Sequence, residues 1–314
     1  MLYRKLIKFG DSSFVVSLPK EWVTRNAFKK GDLVGMEFGA NSALYLLPKT
    51  NPEKPQQEIT INLDEVHHLE NLKTFVISAY LKNYDVIYII GKDLPANASK
   101  IRMILQKLAT VEIVEQTSKK ITARVFLDPK SLPVNTLIRR LEIMAASMIE
   151  DAKESVIEGH KKEYAFQKEE DITRLTFLIL KILRKSLTDA DVAMSLKLEP
   201  LQILQWWNVT LWLEEVADQA KRICRYLDED ELQNKKEISK LLDDAYTHFR
   251  ETMKAHHTNN KVEAVNSLQT TIRIMEESRK YLSKDAAQLD FLVMDKIRKI
   301  VCHTGNIAKD TLDR

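Results

Sequence analysis

Glycine and proline are scarce in this chain, 7 and 8 among 314 residues, where ordinary proteins carry roughly 12% of the two together. That shortage excludes collagen-like, linker-rich and low-complexity classes. Cysteine is limited to Cys224 and Cys302, both in helical pattern, which argues against a disulfide framework. No apolar run approaches the roughly 18–20 residues of a membrane span; a candidate such as Phe177-Leu-Ile-Leu180 is interrupted by lysine. The opening Met-Leu-Tyr-Arg-Lys has no apolar signal-peptide core, so a soluble, cytosolic protein without membrane insertion is expected. Neither Gly-x-Gly-x-x-Gly nor Gly-x-x-x-x-Gly-Lys-Ser/Thr occurs, leaving dinucleotide and P-loop sites unsupported. No spacing suggests a nucleophile beside a base, and an enzyme is not expected.

The few breakers are unevenly placed. Gly10, Gly31, Gly35 and Gly39 fall in the first 39 residues, and seven of the prolines precede residue 134. Only Gly159, Pro200 and Gly305 follow. A turn-bearing front and a long helical back are the consequence. Charge is uneven too. The whole chain carries +3, but residues 1–50 hold eight Lys/Arg against four Asp/Glu, a surplus that suits a polyanion.

Residues 2–48 read as short strands. Lys5–Phe9 and Ser13–Leu18 flank Gly10-Asp11-Ser12, a hairpin turn. Pro19 opens a short helix from Lys20 to Asn26, since its fixed φ suits a first helical turn. Strands at Leu33–Phe38 and Ala43–Leu47 follow Lys29-Lys30-Gly31-Asp32. So small a unit has little core of its own and is expected to need a partner chain.

Arg4-Lys-Leu-Ile-Lys-Phe-Gly, Val15-Val-Ser-Leu-Pro-Lys-Glu-Trp and Lys29-Lys-Gly-Asp-Leu-Val together resemble the AbrB/SpoVT/MazE family over nearly all of residues 3–49. The resemblance implies that residues 1–50 form a DNA-binding domain in which two chains interlock their hairpins into a swapped dimeric β-barrel. It places DNA contacts on Arg4 and Lys5 of the first strand, with Lys8, Lys20 and Arg25 as further basic candidates. The family turn is often richer in arginine than Asp11-Ser12-Ser13 here. Trp22 reads as a core residue of the barrel.

A polar linker around Pro52 and Pro55 leads to residues 57–128, where the pattern β-α-β-α-β-β implies a small α/β domain with a crossover helix between parallel strands. The match Glu65-x-x-His68 in this segment lacks the second motif and extra carboxylates of a di-iron bundle.

Beyond Asp128-Pro129-Lys-Ser-Leu-Pro133, six amphipathic helices are expected at 134–159, 166–187, 199–228, 231–257, 260–283 and 286–313. They divide into two sets of three, 134–229 and 230–314. Met148-Ile-Glu-Asp-Ala152 is echoed by Leu241-Leu-Asp-Asp-Ala245, and Val216 and Ile223 by Ile300 and Ile307. Trp206, Trp207 and Trp212 read as bundle core.

Leu213-Glu-Glu-Val-Ala-Asp-Gln-Ala-Lys-Arg-Ile223 resembles a characteristic helix of the PhoU family of phosphate-uptake regulators. Glu170–Ile179 and His303–Ala308 are similar to others, so the likeness spans about residues 134–314. The whole order resembles archaeal-type PhoU-related transcriptional regulators. That likeness implies a multidomain α+β protein: swapped-hairpin barrel, small α/β connector, and tandem three-helix bundles.

Glu214 and Asp218 lie four apart, on one helix face. The family resemblance implies that such pairs hold a divalent, iron or zinc ion in the first bundle. The equivalent positions later in the chain are Arg298 and Cys302, and Thr173 stands where the family usually has Asp. A second bundle site is therefore not expected. His303 beside Cys302 lacks the spaced partners of a zinc site. The expected function is a dimeric DNA-binding regulator of phosphate uptake and homeostasis. The alternative is an adaptor without DNA binding that docks on a phosphate transporter or sensor kinase.

Overall fold

A computed structural model describes residues 3–38, 44–48, 56–66, 69–158, 164–227, 232–281 and 287–313. The chain divides into two compact units, Met1–Gln56 and Gln57–Arg314.

In the first unit, β1 (Ile7–Phe9) and β2 (Ser13–Val15) form an antiparallel hairpin with Lys8 opposite Phe14. The turn between them uses Gly10 at φ +69, a left-handed conformation that glycine adopts without steric cost. Pro19 caps α1 (Lys20–Arg25), as the sequence predicts. Its Trp22 stacks on Phe28 with ring centroids 5.1 Å apart and is only half-buried. A second hairpin pairs β3 (Val34–Phe38) with β4 (Leu44–Pro48).

The two hairpins are separate two-stranded sheets and do not close on one another. The barrel expected for residues 1–50 is thus not formed within a single chain. Isolated hairpins are marginal in water because neither face is covered, and no described residue of this unit reaches full burial.

The second unit opens with an α/β layer in the expected order: β5 (Glu58–Asn62), α2 (Leu69–Leu81), β6 (Val86–Ile90), α3 (Leu94–Gln106), β7 (Val111–Gln116) and β8 (Lys120–Val125). The sheet runs β5-β6-β8-β7. Parallel pairing of β5 with β6, Glu58 opposite Val86, spans the crossover helix α2. The other two pairs are antiparallel. Ile61, Ile87, Ile89, Ile121 and Ala123 alternate onto one face and share a core with Leu72, Val76 and Tyr80 of α2 and Ile101 and Leu105 of α3.

Among the described residues seven α-helices follow: α4 (Val134–Glu158), α5 (Tyr164–Thr188), α6 (Ala190–Ser195), α7 (Pro200–Tyr226), α8 (Lys235–Thr258), α9 (Lys261–Tyr281) and α10 (Gln288–Leu312). Six match the periodicity. The short α6 is additional; Asp189 ends α5 and stands at the cap of this single extra stretch. Pro200 sits in the first turn of α7, where its missing N–H costs no hydrogen bond. Asn259, left-handed at φ +50, ends α8 and returns its N–H to carbonyls of the last turn.

The helices share one apolar core that runs through both sets of three. Val216, Ile223, Ile300 and Ile307, the echoed positions, are all fully buried in it. Trp206 is buried there, and Trp207 and Trp212 pack against it from its edge.

Lysine 181 joins the α/β layer to the helices. From α5, Lys181 donates to the Tyr80 carbonyl at 2.8 Å and lies 4.6 Å from that residue's ring. Burial pushes the Lys181 ammonium down to about 8.

Candidate functional site

The sequence points to two places, the basic hairpins and the acidic face of α7. In the first unit, Arg4 and Lys5 precede β1, Lys8 lies at its centre, and Lys20 and Arg25 bracket α1. All five side chains are exposed, and none forms an ion pair among the described residues. Large apolar side chains are exposed beside them. Ile7 and Phe9 project from one face of β1, and Leu6 and Phe14 belong to the other; Phe9 is 71% and Phe14 64% exposed. Cations at this density, free of carboxylate partners, are available to phosphate oxygens.

On α7 the two carboxylates differ sharply. Asp218 accepts from Arg222 Nε at 2.7 Å and pairs with Lys221 Nζ at 2.8 Å. Lys221 also reaches Glu169 of α5 at 2.9 Å, tying the two helices together. Burial alone would raise the Asp218 carboxyl, but hydrogen bonds from Lys221 and Arg222 outweigh it and hold the group below the usual range. Glu214 is half-buried and makes no hydrogen bond among the described residues. Burial first, then the nearby Glu215 and Asp218 charges, push it up to about 7.

This donor set does not fit the metal ion expected at Glu214 and Asp218. Both Asp218 oxygens are engaged by side-chain cations, Asp218 Oδ1 by Lys221 and Oδ2 by Arg222. Among the described residues no three His, Cys, Asp or Glu side chains converge as a metal site requires. What the face forms instead is an ion-pair network beside a carboxyl poised near neutrality. Lys221 and Arg222, at i+3 and i+4 from Asp218, were the signal in the sequence for that pairing.

Other candidates resolve simply. His303 Nε2 lies 4.0 Å from Glu215, while Cys302 is exposed and offers no ligand set with it. Glu65 Oε1 accepts from Asn62 Nδ2 at 3.0 Å at the end of β5, and His68 lies outside the described residues. Among the described residues no helix is long and apolar enough to cross a membrane.

Sequence inspection passed over the polar groups inside the helical region. His248 and His256 of α8 are fully buried. His256 Nδ1 donates to Thr311 Oγ1 at 2.9 Å, since the Thr311 hydroxyl itself donates to the Ile307 carbonyl at 3.0 Å. Asp290 of α10 accepts from the backbone N–H groups of Gln233 and Asn234 at 3.0 and 2.8 Å, anchoring the approach to α8.

No protein-family model and no curated protein matches the chain. Among solved structures, the crystal structure of PhoU from Pseudomonas aeruginosa is similar at 13% identity and a TM-score of 0.42. The match covers 58% of this chain and 95% of that one.

Proposed function

We propose that the protein is a dimeric, DNA-binding transcriptional regulator of phosphate uptake. The hairpin units of two copies form the DNA-binding module, and the helical region relays phosphate status. One observation carries the DNA half of this reading. The first unit exposes apolar side chains on both faces of its β1–β2 hairpin, and among the described residues Arg4, Lys5, Lys8, Lys20 and Arg25 have no acidic partner.

The apolar exposure supplies the reason to pair. Fully burying a Phe or Ile side chain is worth about 1.5–3 kcal/mol, and Ile7, Phe9 and Phe14 all stand open in one chain. A second copy can cover them. Pairing also doubles the surplus of four positive charges in residues 1–50 on one small module, raising its attraction for a polyanion. The phosphate assignment rests on the PhoU-like pattern of residues 213–223 and its companions.

The test is fluorescence anisotropy of labelled duplex DNA with the full-length protein at low salt. Saturable binding that is weakened in Arg4→Ala/Lys8→Ala supports the reading. Absence of binding, or binding indifferent to that variant, overturns it.

A second reading has its own observation. An apolar groove of about 440 Å³ between α5 and α7, lined by Leu187, Ile203, Leu204 and Trp207, suits a protein partner. In that reading the chain is an adaptor on a phosphate transporter or sensor kinase, and pull-down from phosphate-starved cells recovers those proteins without promoter fragments.

A further inference from the structure

A cleft in the helical region is lined by residues other than Glu214 and Asp218. It is a solvent-open cleft of about 790 Å³ beside the opening turns of α4, completed by residues of α7 and α8. That volume falls within the roughly 300–1,000 Å³ of small-molecule sites.

Its lining is segregated by chemistry. Arg139 and Arg140 supply two guanidinium groups from adjacent positions of α4. Ile143 and Met144, one turn further on, make an apolar floor with the edge of Trp206 from α7. Asn135 and Gln202 bring two side-chain amides from α4 and α7. His257 enters from α8.

Among the described residues no carboxylate lines this cleft. Beside Arg139 lies Glu142, which is buried at 6% exposure. Its Oε2 accepts from His257 Nε2 at 2.6 Å and lies 3.8 Å from Arg139 NH1. One buried carboxylate therefore faces both His257 and Arg139. Arg140 forms no ion pair among the described residues and is exposed at the rim. Arg140 thus stands without an acidic partner among the described residues, whereas Arg139 shares Glu142 with His257. The N-terminal end of the α4 dipole, beside Asn135 and Thr136, adds to the positive charge of Arg140.

Each part of the lining suits a different part of a ligand. A guanidinium fork offers two parallel N–H groups to two oxygens of a phosphoryl group and holds them by charge-assisted hydrogen bonds. A carboxamide presents a donor and an acceptor side by side, the complement of a nucleobase edge. The apolar floor gives a flat ring somewhere to leave water. Inorganic phosphate would use only the arginines and leave the floor exposed.

We propose that this cavity binds a nucleoside phosphate, with the phosphoryl group on Arg139 and Arg140 and the base over Ile143 and Met144, its edge met by Asn135 and Gln202. The proposal is independent of the DNA reading. A chain that ignores DNA can still bind this ligand, and a DNA-binding chain can lack it.

Isothermal titration of the full-length protein with AMP, GMP, CMP and UMP, alongside the four matching nucleosides and inorganic phosphate, tests it. At least one nucleotide is expected to bind at one per chain. The matching nucleoside and inorganic phosphate each bind at least about tenfold more weakly, the effect of losing one charged hydrogen-bonding group. Arg140→Gln weakens nucleotide binding by tenfold or more while the urea midpoint stays unchanged, because that side chain is exposed and forms no ion pair among the described residues. Gln202→Leu weakens it without altering the response to inorganic phosphate. The proposal is overturned if none of the four nucleotides binds, if nucleoside or phosphate alone binds as tightly, or if the arginine variant binds normally.

Discussion

Protonation of His248 should destabilise the helical region as pH falls, and the size of the effect follows from its surroundings. The side chain is fully buried on α8. Its Nε2–H donates to Thr271 Oγ1 at 3.0 Å, because the Thr271 hydroxyl already donates to the Ser267 carbonyl at 3.1 Å. Burial, and secondarily the Arg273 cation, push its pKa from 6.5 down to about 4. Folding therefore favours the neutral ring, and the unfolded chain binds the extra proton between those two values. Stability from this group is complete above pH 6.5 and is lost progressively as pH falls toward 4. At about 1.4 kcal/mol per unit, the full loss is roughly 3 kcal/mol, of which about 2 kcal/mol arises between pH 7 and 4.5. The assay is urea unfolding of the wild type and His248→Gln near both pH values. Glutamine cannot titrate, so the stability gap between the two proteins should narrow by about 2 kcal/mol at the lower pH. A gap that does not change with pH, or a His248 titration observed by NMR near 6.5, would refute the reasoning.

Three further outcomes follow from the same packing. Gly305→Ala places a Cβ 2.9 Å from Thr271 Oγ1 and 3.1 Å from Thr271 Cγ2, and Thr271 is held by His248, so a loss of about 1–3 kcal/mol is expected by thermal or urea unfolding. Asp290→Ala strands the N–H groups of Gln233 and Asn234; a loss of roughly 2–4 kcal/mol should appear in urea unfolding, with faster amide exchange at those two residues. Cys302 is exposed, whereas Cys224 is buried with its thiol pushed up to about 11 by burial; a thiol reagent at neutral pH should label one cysteine quickly and the second only on unfolding.

Much of the architecture was legible because it is written locally. The long helices announce themselves through apolar spacing, and Pro19, Pro133 and Pro200 mark where helices start. The parallel β5–β6 pair follows from two strands separated by a helix, since such strands require a crossover. The barrel was not legible in the same sense. Alternation marks the strands of residues 1–50, but it does not say whether they close, and the described residues hold two open hairpins. The Glu214–Asp218 pair was placed correctly on one face, yet its chemistry depends on Lys221, Arg222 and Glu169, one of them from another helix. Buried His248 and the Arg139–Arg140 cavity lay beyond periodicity altogether. Their significance comes from groups up to 115 residues apart, as in the contact of Glu142 with His257.

The salt dependence of DNA binding tests the central claim most directly. If two copies bind through their hairpin cations, Arg4→Ala/Lys8→Ala removes four charges from the dimer. Each phosphate contact contributes about 0.9 to the slope of log affinity against log salt, so that slope should become shallower by about 3.6. A slope equal to that of the wild type, or no affinity for duplex DNA in either protein, would contradict the account.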